Sequence, residues 1–370
     1  MPNYHTCFHA KPVLFSTQTS PKMKRRTFLR TVGSATGVFV VGLPKIAPAA
    51  QTTPPPATSE TPVPKRTLGR TGSQISVVGF PGLALVHYDQ KTGTDGLHKA
   101  FDNGVNYFDV APAYGNGEAE TKMGIGLQGL DRDRIFLSCK TKMRDKEGAR
   151  KELENSLRVL KTDHFDLYQL HHLVRIDEVK QALGPAGAME TFLKAKEEGK
   201  IRFIGFSAHS TKAALEAIKS FDFDTVMFPI NFVEYYKRDF GRAVLEEAAR
   251  KRAAVIAIKT MSRGAWPQNT PRSRQWWYRS VEEEHEVNLA WRFTLSRPGV
   301  AAGIPPSFID LLDKAVKACR AYREPTETEL DELKVLAQTC DSIFVREDSM
   351  AANVQHHQHR FYPGCPYGAA

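Results

Sequence analysis

Ile135-Phe136-Leu137-Ser138-Cys139 is followed by a stretch with apolar residues at helical spacing over 147–160, and then by Phe165-Asp166-Leu167-Tyr168-Gln169-Leu170-His171. Two short apolar runs rich in β-branched and aromatic residues, separated by one helix, predict a β-α-β unit and a parallel strand pair. The alternation continues outward in both directions. Similar runs occupy residues 75–79, 105–109, 201–206, 225–230, 254–258 and 300–304, with helical spacing over 189–198, 211–220 and 241–250. Eight strands in about 240 residues match the α/β class and the closed (β/α)8, or TIM, barrel. An open doubly wound sheet is the competitor, but no G-x-G-x-x-G follows the first run. Thr67-Leu68-Gly69-Arg70-Thr71-Gly72 sets turn residues between two apolar patches, which predicts a short N-terminal hairpin across the barrel floor. The segment between the seventh and eighth runs is longer than a helix needs. It carries Trp266, Trp276, Trp277 and Tyr278, and predicts a long loop over the barrel mouth.

The 370 residues are 41% hydrophobic and 25% charged, fractions that exclude a disordered or fibrous chain. The formal charge of +10 sits mostly in a leader: residues 1–50 hold seven basic side chains and no acid. The remainder is close to balance, so no nucleic-acid footprint is expected. Lys24-Arg25-Arg26-Thr27-Phe28-Leu29-Arg30, the uncharged stretch 31–43 and Ala47-Pro48-Ala49 have the three parts of an export signal. The apolar part is too short for a membrane span, so none is expected after cleavage behind Ala49. The paired arginines resemble a twin-arginine signal, which implies the twin-arginine export machinery as a partner and a periplasmic or exported location. Met23, directly before Lys24, is the expected true start. Residues 1–49 are therefore read as leader, 50–64 as a Pro/Thr-rich linker, 65–325 as the barrel, and 326–370 as a C-terminal helix and His-rich tail.

In this fold chemistry gathers where strands end and loops begin. Those positions hold Asp109, Lys140 and His171, with Tyr114 five residues beyond Asp109. A buried Lys beside an Asp holds positive charge near a tyrosine hydroxyl and makes the tyrosine a usable proton donor near neutrality. A neighbouring His orients a carbonyl. His172 competes with His171, because adjacent strand residues face opposite ways. Lys142 shares a strand face with Lys140 but lies further into the loop. Cys139 reads as a packed strand residue.

At these residues the chain resembles an aldo-keto reductase. The matching pieces are Leu68-Gly69-Arg70-Thr71-Gly72, Phe108-Asp109-Val110-Ala111-Pro112-Ala113-Tyr114-Gly115 and Leu137-Ser138-Cys139-Lys140-Thr141. Asp163-His164-Phe165-Asp166-Leu167-Tyr168-Gln169-Leu170-His171 and Ile201-Arg202-Phe203-Ile204-Gly205-Phe206-Ser207 complete them in family order. The resemblance implies an NADP- or NAD-dependent reductase of a small carbonyl or sugar-like substrate. It makes Tyr114 the proton donor, Lys140 and Asp109 its tuners, and His171 the residue that positions the carbonyl. It places coenzyme contacts at Ser207, Asn231, Lys259, Thr260, Met261 and Ser307, and implies no metal.

The sequence also departs from the family pattern. Ala208 stands where Asn follows Ser207, and Met227 replaces a Gln four residues before Asn231. Pro306 and Leu312 stand where a Lys and an Arg grip the 2′-phosphate of NADP, a loss of about 1.5–3 kcal/mol for each charge-assisted contact. Lys259 and Arg263 are the nearest substitutes. Two alternatives follow: a dinucleotide-binding or regulatory barrel without turnover, and a metal-dependent hydrolase built on His171 and His172. His356, His357, His359 and Cys365 cluster in the tail, with too few thiols for an iron–sulfur centre. Cys319 and Cys340 bracket a helical pair and are candidates to bridge in an oxidising compartment. Glu282-Glu283-Glu284 reads as the solvated first turn of a helix.

Overall fold

Strands β1 (Lys65–Thr67) and β2 (Gln74–Ser76) pair antiparallel around a tight turn over Gly69–Thr71, forming the expected hairpin. The computed structural model describes residues 61–345 except Gln268. The chain divides into Met1–Ala57 and Thr58–Ala370, and every described residue belongs to the second unit. The leader, most of the linker and the His-rich tail lie outside the described residues.

Eight parallel strands follow in sequence order: β3 (Phe80–Pro81), β4 (Tyr107–Asp109), β5 (Phe136–Thr141), β6 (Phe165–Leu173), β7 (Ile201–Ala208), β8 (Thr225–Pro229), β9 (Ala254–Ile258) and β10 (Val300–Gly303). Each pairs with the next, and a parallel bridge from Val78 to Gly303 joins the last to the first. Two backbone bonds make this seam: Gly79 N–H to Gly303 O, and Gly303 N–H to Val77 O, both 2.9 Å. The sheet is therefore a closed barrel.

The connections carry α1 (Gln90–Asp102), α2 (Glu118–Gly126), α3 (Lys146–Leu160), α4 (Ile176–Leu183), α5 (Ala188–Glu197), α6 (Thr211–Ser220), α7 (Phe232–Arg238), α8 (Arg242–Arg250), α9 (Glu284–Leu295) and α10 (Ile309–Arg320). A further helix, α11 (Glu327–Gln338), packs on α7 and α9. α3 shows the local logic. Asp145 caps it by accepting the Gly148 N–H at 2.7 Å, and Lys161 ends it in the left-handed region. Leu153, Leu157 and Leu160 fall on one face at helical spacing and are buried, each worth about 1.5–3 kcal/mol of transfer energy.

Period two in the strands sorts the core into two sets. Leu68, Ile75, Tyr107, Leu167, Met227 and Ile256 pack together inside the barrel, while Phe108, Leu137, Tyr168 and Phe206 pack outward beneath the helices. The first barrel strand is a correction. The apolar run 75–79 is one stretch in sequence, but Ile75 and Ser76 pair within the hairpin and only Val77 onward joins the barrel. Apolarity does not register a change of partner. The acidic run is also split: Glu283 precedes α9, Glu284 lies in its first turn, and Glu282 binds Arg274 at 2.7 Å.

Candidate active site

Register brings three strand ends to one rim. Asp109 lies opposite Ser138 on β5, and Lys140 lies opposite Gln169 on β6, so lumen-facing positions climb by one pleat from strand to strand. Lys140 is wholly buried, and its Nζ donates to Asp109 Oδ2 at 2.6 Å, to Val110 O at 3.1 Å and to the Tyr114 hydroxyl at 3.2 Å. Tyr107 donates to the other Asp109 oxygen at 3.3 Å. Tyr114 reaches back over the barrel because the chain reverses through Gly115, Asn116 and Gly117, all at positive φ. A Cβ on Gly115 would meet Val86 Cγ1 at 2.7 Å, so glycine is required there on two counts. The His171 ring stands edge-on to Tyr114, 5.6 Å between centroids. The four rim residues named from the sequence are thus together.

Their electrostatics follow from burial. Burial pushes the Asp109 carboxyl up, and the Lys140 charge pulls it back. The Lys140 ammonium is tolerated at zero exposure because its three protons all have acceptors. Burial and the charges of Lys140 and Lys142 hold His171 well below the usual histidine range, so near neutrality it is an uncharged imidazole. Cys139 faces away from the rim, fully buried, donating to Glu120 Oε1 at 3.4 Å, and burial pushes its thiol up.

The rim opens into a cleft at the mouth of the barrel. Asp109, Tyr114 and His171 line its base; Ser207, His209 and Met227 form one wall, and Lys259, Ser307, Trp276 and Tyr278 another. The aromatic loop therefore does stand over the barrel mouth. Of the coenzyme contacts expected from the sequence, Ser207, Lys259 and Ser307 reach the cleft. Asn231, Thr260 and Met261 do not line it. Asn231 caps α7, its Oδ1 accepting the Glu234 N–H at 3.0 Å, and its buried Nδ2 has no hydrogen-bond partner among the described residues. Lys259 lies at φ +60°, ending the strand, so that Thr260 turns to the Ile304 carbonyl at 3.2 Å and Met261 joins the outer core.

Lys259 stacks over Trp277, with Nζ 4.9 Å from the ring centroid, whereas Arg263 is ion-paired to Glu286 at 2.8 Å. Leu312 is buried. His172 is half-buried at φ +61°, and its N–H donates to Ser207 Oγ at 2.8 Å. His209 is a pocket residue that the sequence reading missed. The signal was its place one residue past a strand end, two after Ser207. Cys319 and Cys340 are separate free thiols, which corrects the bridge considered above. Among the described residues no group of three or more His, Cys, Asp or Glu is arranged to hold a metal ion.

Barrel, rim and cleft define a (β/α)8 protein with a buried Lys–Asp pair against a tyrosine hydroxyl. The sequence profile of the aldo/keto reductase family matches residues 85–332, and the chain belongs to that family. The family comprises oxidoreductases acting on CH–OH and C=O groups. The chain is 31% identical over 194 residues to aldo-keto reductase YhdN of Bacillus subtilis, covering 48% of this chain and 54% of that one. It is 34% identical over 158 residues to L-galactose dehydrogenase of Arabidopsis thaliana, covering 38% and 47%. It thus spans about half the length of these curated relatives. An aldo-keto reductase from Klebsiella pneumoniae, solved in complex with NADPH, superposes with a TM-score of 0.58 at 22% identity, over 74% of this chain and 95% of that one.

Proposed function

We propose that the chain is an NAD(P)-dependent oxidoreductase that interconverts a carbonyl and an alcohol, with Tyr114 as proton donor. One observation carries this reading: the Lys140 ammonium lies between Asp109, at 2.6 Å, and the Tyr114 hydroxyl, at 3.2 Å, at the base of the cleft. The cleft suits a nicotinamide dinucleotide. Met227, Ile258 and Tyr278 offer apolar surface to a flat ring, while the Ser207 and Ser307 hydroxyls and the Lys259 ammonium offer donors to amide and phosphate oxygens. When bound, that group supplies a hydride to the carbonyl carbon. The chain's own residues do the rest. Tyr114 gives its proton to the carbonyl oxygen, and Lys140 stabilises the phenolate left behind. Asp109 fixes Lys140 in place. Neutral His171 orients the carbonyl oxygen through a hydrogen bond, and Trp276 and Tyr278 exclude water from above.

Either NADP or NAD fits this reading. The absent cations at Pro306 and Leu312 weigh against tight 2′-phosphate binding, and Lys259 is the cation that the cleft retains. Removing the tyrosine hydroxyl tests the core of the proposal. Tyr114→Phe is expected to lower turnover of a carbonyl substrate by about 10²–10⁴-fold while coenzyme fluorescence titration stays unchanged. Turnover equal to the parent's rejects the assignment.

The proposal extends to location. The chain is exported by the twin-arginine route after folding around its coenzyme, and works in the periplasm. The order of Lys24-Arg25-Arg26, the stretch 31–43 and Ala47-Pro48-Ala49 supports this. Outside the cytoplasm a retained coenzyme is recharged by a second substrate, which favours an internal oxidation–reduction of one sugar-like molecule. The likeness to a sugar dehydrogenase supports that substrate class. Replacing Arg25 and Arg26 by lysines is expected to abolish recovery of the processed chain in the periplasmic fraction; undiminished recovery refutes the export route.

A further inference from the structure

His209 lines the cleft, 7% exposed, on the wall beside His171, and nothing in the proton-transfer chemistry above uses it. The end of β7 has little else to offer a substrate. Ala208 packs in the outer core, and Ser207 Oγ already accepts the His172 N–H. Beyond the Ser207 hydroxyl, whose proton is assigned above to the coenzyme, the polar group that this strand end adds to the cleft is the His209 imidazole.

Its position is fixed from several sides. The His209 N–H donates to Leu173 O at 2.9 Å, and the next residue, Ser210, anchors α6 by donating to Val174 O at 2.5 Å and accepting the Ala213 N–H at 3.2 Å. The ring meets His172 edge-on, 4.4 Å between centroids, and Phe344 at 5.8 Å. His172 holds a left-handed backbone in this arrangement, a conformation that persists only where surrounding structure enforces it and that gathers at functional sites. Burial, together with the charges of His172, Lys259 and Lys142, keeps His209 uncharged near neutrality. A neutral imidazole presents one N–H donor and one nitrogen acceptor. The group that matches both is a hydroxyl, which accepts and donates at a single atom. A methylene in its place would leave the imidazole buried without a partner.

We propose that His209 is a specificity-determining residue that exchanges hydrogen bonds with a hydroxyl on the carbonyl substrate, which makes the substrate class hydroxylated aldehydes or ketones. The inference rests on the reductase reading, and the experiment separates the two. Lactaldehyde and propanal differ by one hydroxyl next to the carbonyl. Steady-state kinetics of the full chain with each aldehyde, using whichever of NADH and NADPH it binds, are expected to favour lactaldehyde by about tenfold or more in kcat/KM, expressed mainly in KM. His209→Phe is expected to bring that ratio close to one. His209→Asn, which keeps a donor and an acceptor, is expected to retain part of it.

A fluorescence titration of coenzyme accompanies each variant. A His209→Phe variant that keeps the parent's preference overturns the inference, as does one that loses both aldehydes equally. Loss of coenzyme binding in His209→Phe also overturns it, because His209 is then a coenzyme contact. A parent chain that reduces both aldehydes equally overturns the inference and leaves the reductase reading standing. A parent chain that binds coenzyme and reduces neither aldehyde overturns both.

Discussion

Two of the three histidines around the cleft, His171 and His209, are buried and uncharged, and the sign of their effect on stability follows directly. Above pH 6.5 each is neutral whether the chain is folded or not. Below it the unfolded chain takes up protons that the folded chain refuses, so stability falls as pH drops. From pH 7.5 to 5.5 the two together are expected to remove about 2–3 kcal/mol, read from urea midpoints at constant m. His209→Phe is expected to shallow the decline, and a parent chain equally stable at both pH values rejects neutral burial. Residue identity at the rim was legible in sequence for a definite reason. Asp109, Lys140 and His171 occupy strand ends, where periodicity fixes which way a side chain points. Asn231, Thr260 and Met261 lie past such ends, where no period applies, and the left-handed turn at Lys259 sends the last two outward. His209 also lies past an end and was missed for the same reason.

Elements with strong periods were placed within a residue or two. α3, α5, α6 and α8 stand where apolar spacing put them, and β9 occupies Ala254–Ile258 as read. The failures are short or aperiodic. α4 and α7 have 8 and 7 residues, little more than two turns, too few for a period to show above loop composition. The stretch 341–345 has no pattern at all, yet it is tied down. Buried Glu234 accepts from Ser342 Oγ at 2.6 Å and from the Ile343 N–H at 2.8 Å, Lys237 donates to the Cys340 carbonyl, and Phe344 stacks on Phe240 at 5.1 Å. Contacts between residues more than a hundred positions apart leave no local signature. They matter here because Phe344 also backs His209, so a segment invisible to periodicity forms the support of the cleft wall.

At the scale of the whole molecule, eight strands make a barrel only if the last meets the first, and that junction is narrow. It rests on the Val78–Gly303 bridge and the two backbone bonds beside it. Gly303 is small for a physical reason. A Cβ there would lie 2.7 Å from Trp291 Cζ3 and 2.8 Å from Thr260 Cγ2, and Trp291 is a wholly buried side chain of α9 with no room to retreat. Gly303→Ala therefore pushes β10 off its helix or away from the seam, an overpacking expected to destabilise by about 1–3 kcal/mol. Ile304 and Pro305, the next residues, line the cleft, so the displacement reaches the site. The expected pattern in Gly303→Ala is a lower urea midpoint together with weaker coenzyme binding. A closed barrel transmits strain around its whole circumference because no strand has a free edge to relax into. If the variant loses stability while coenzyme affinity stays at the parent's value, the seam and the cleft are mechanically independent, and closure serves folding alone.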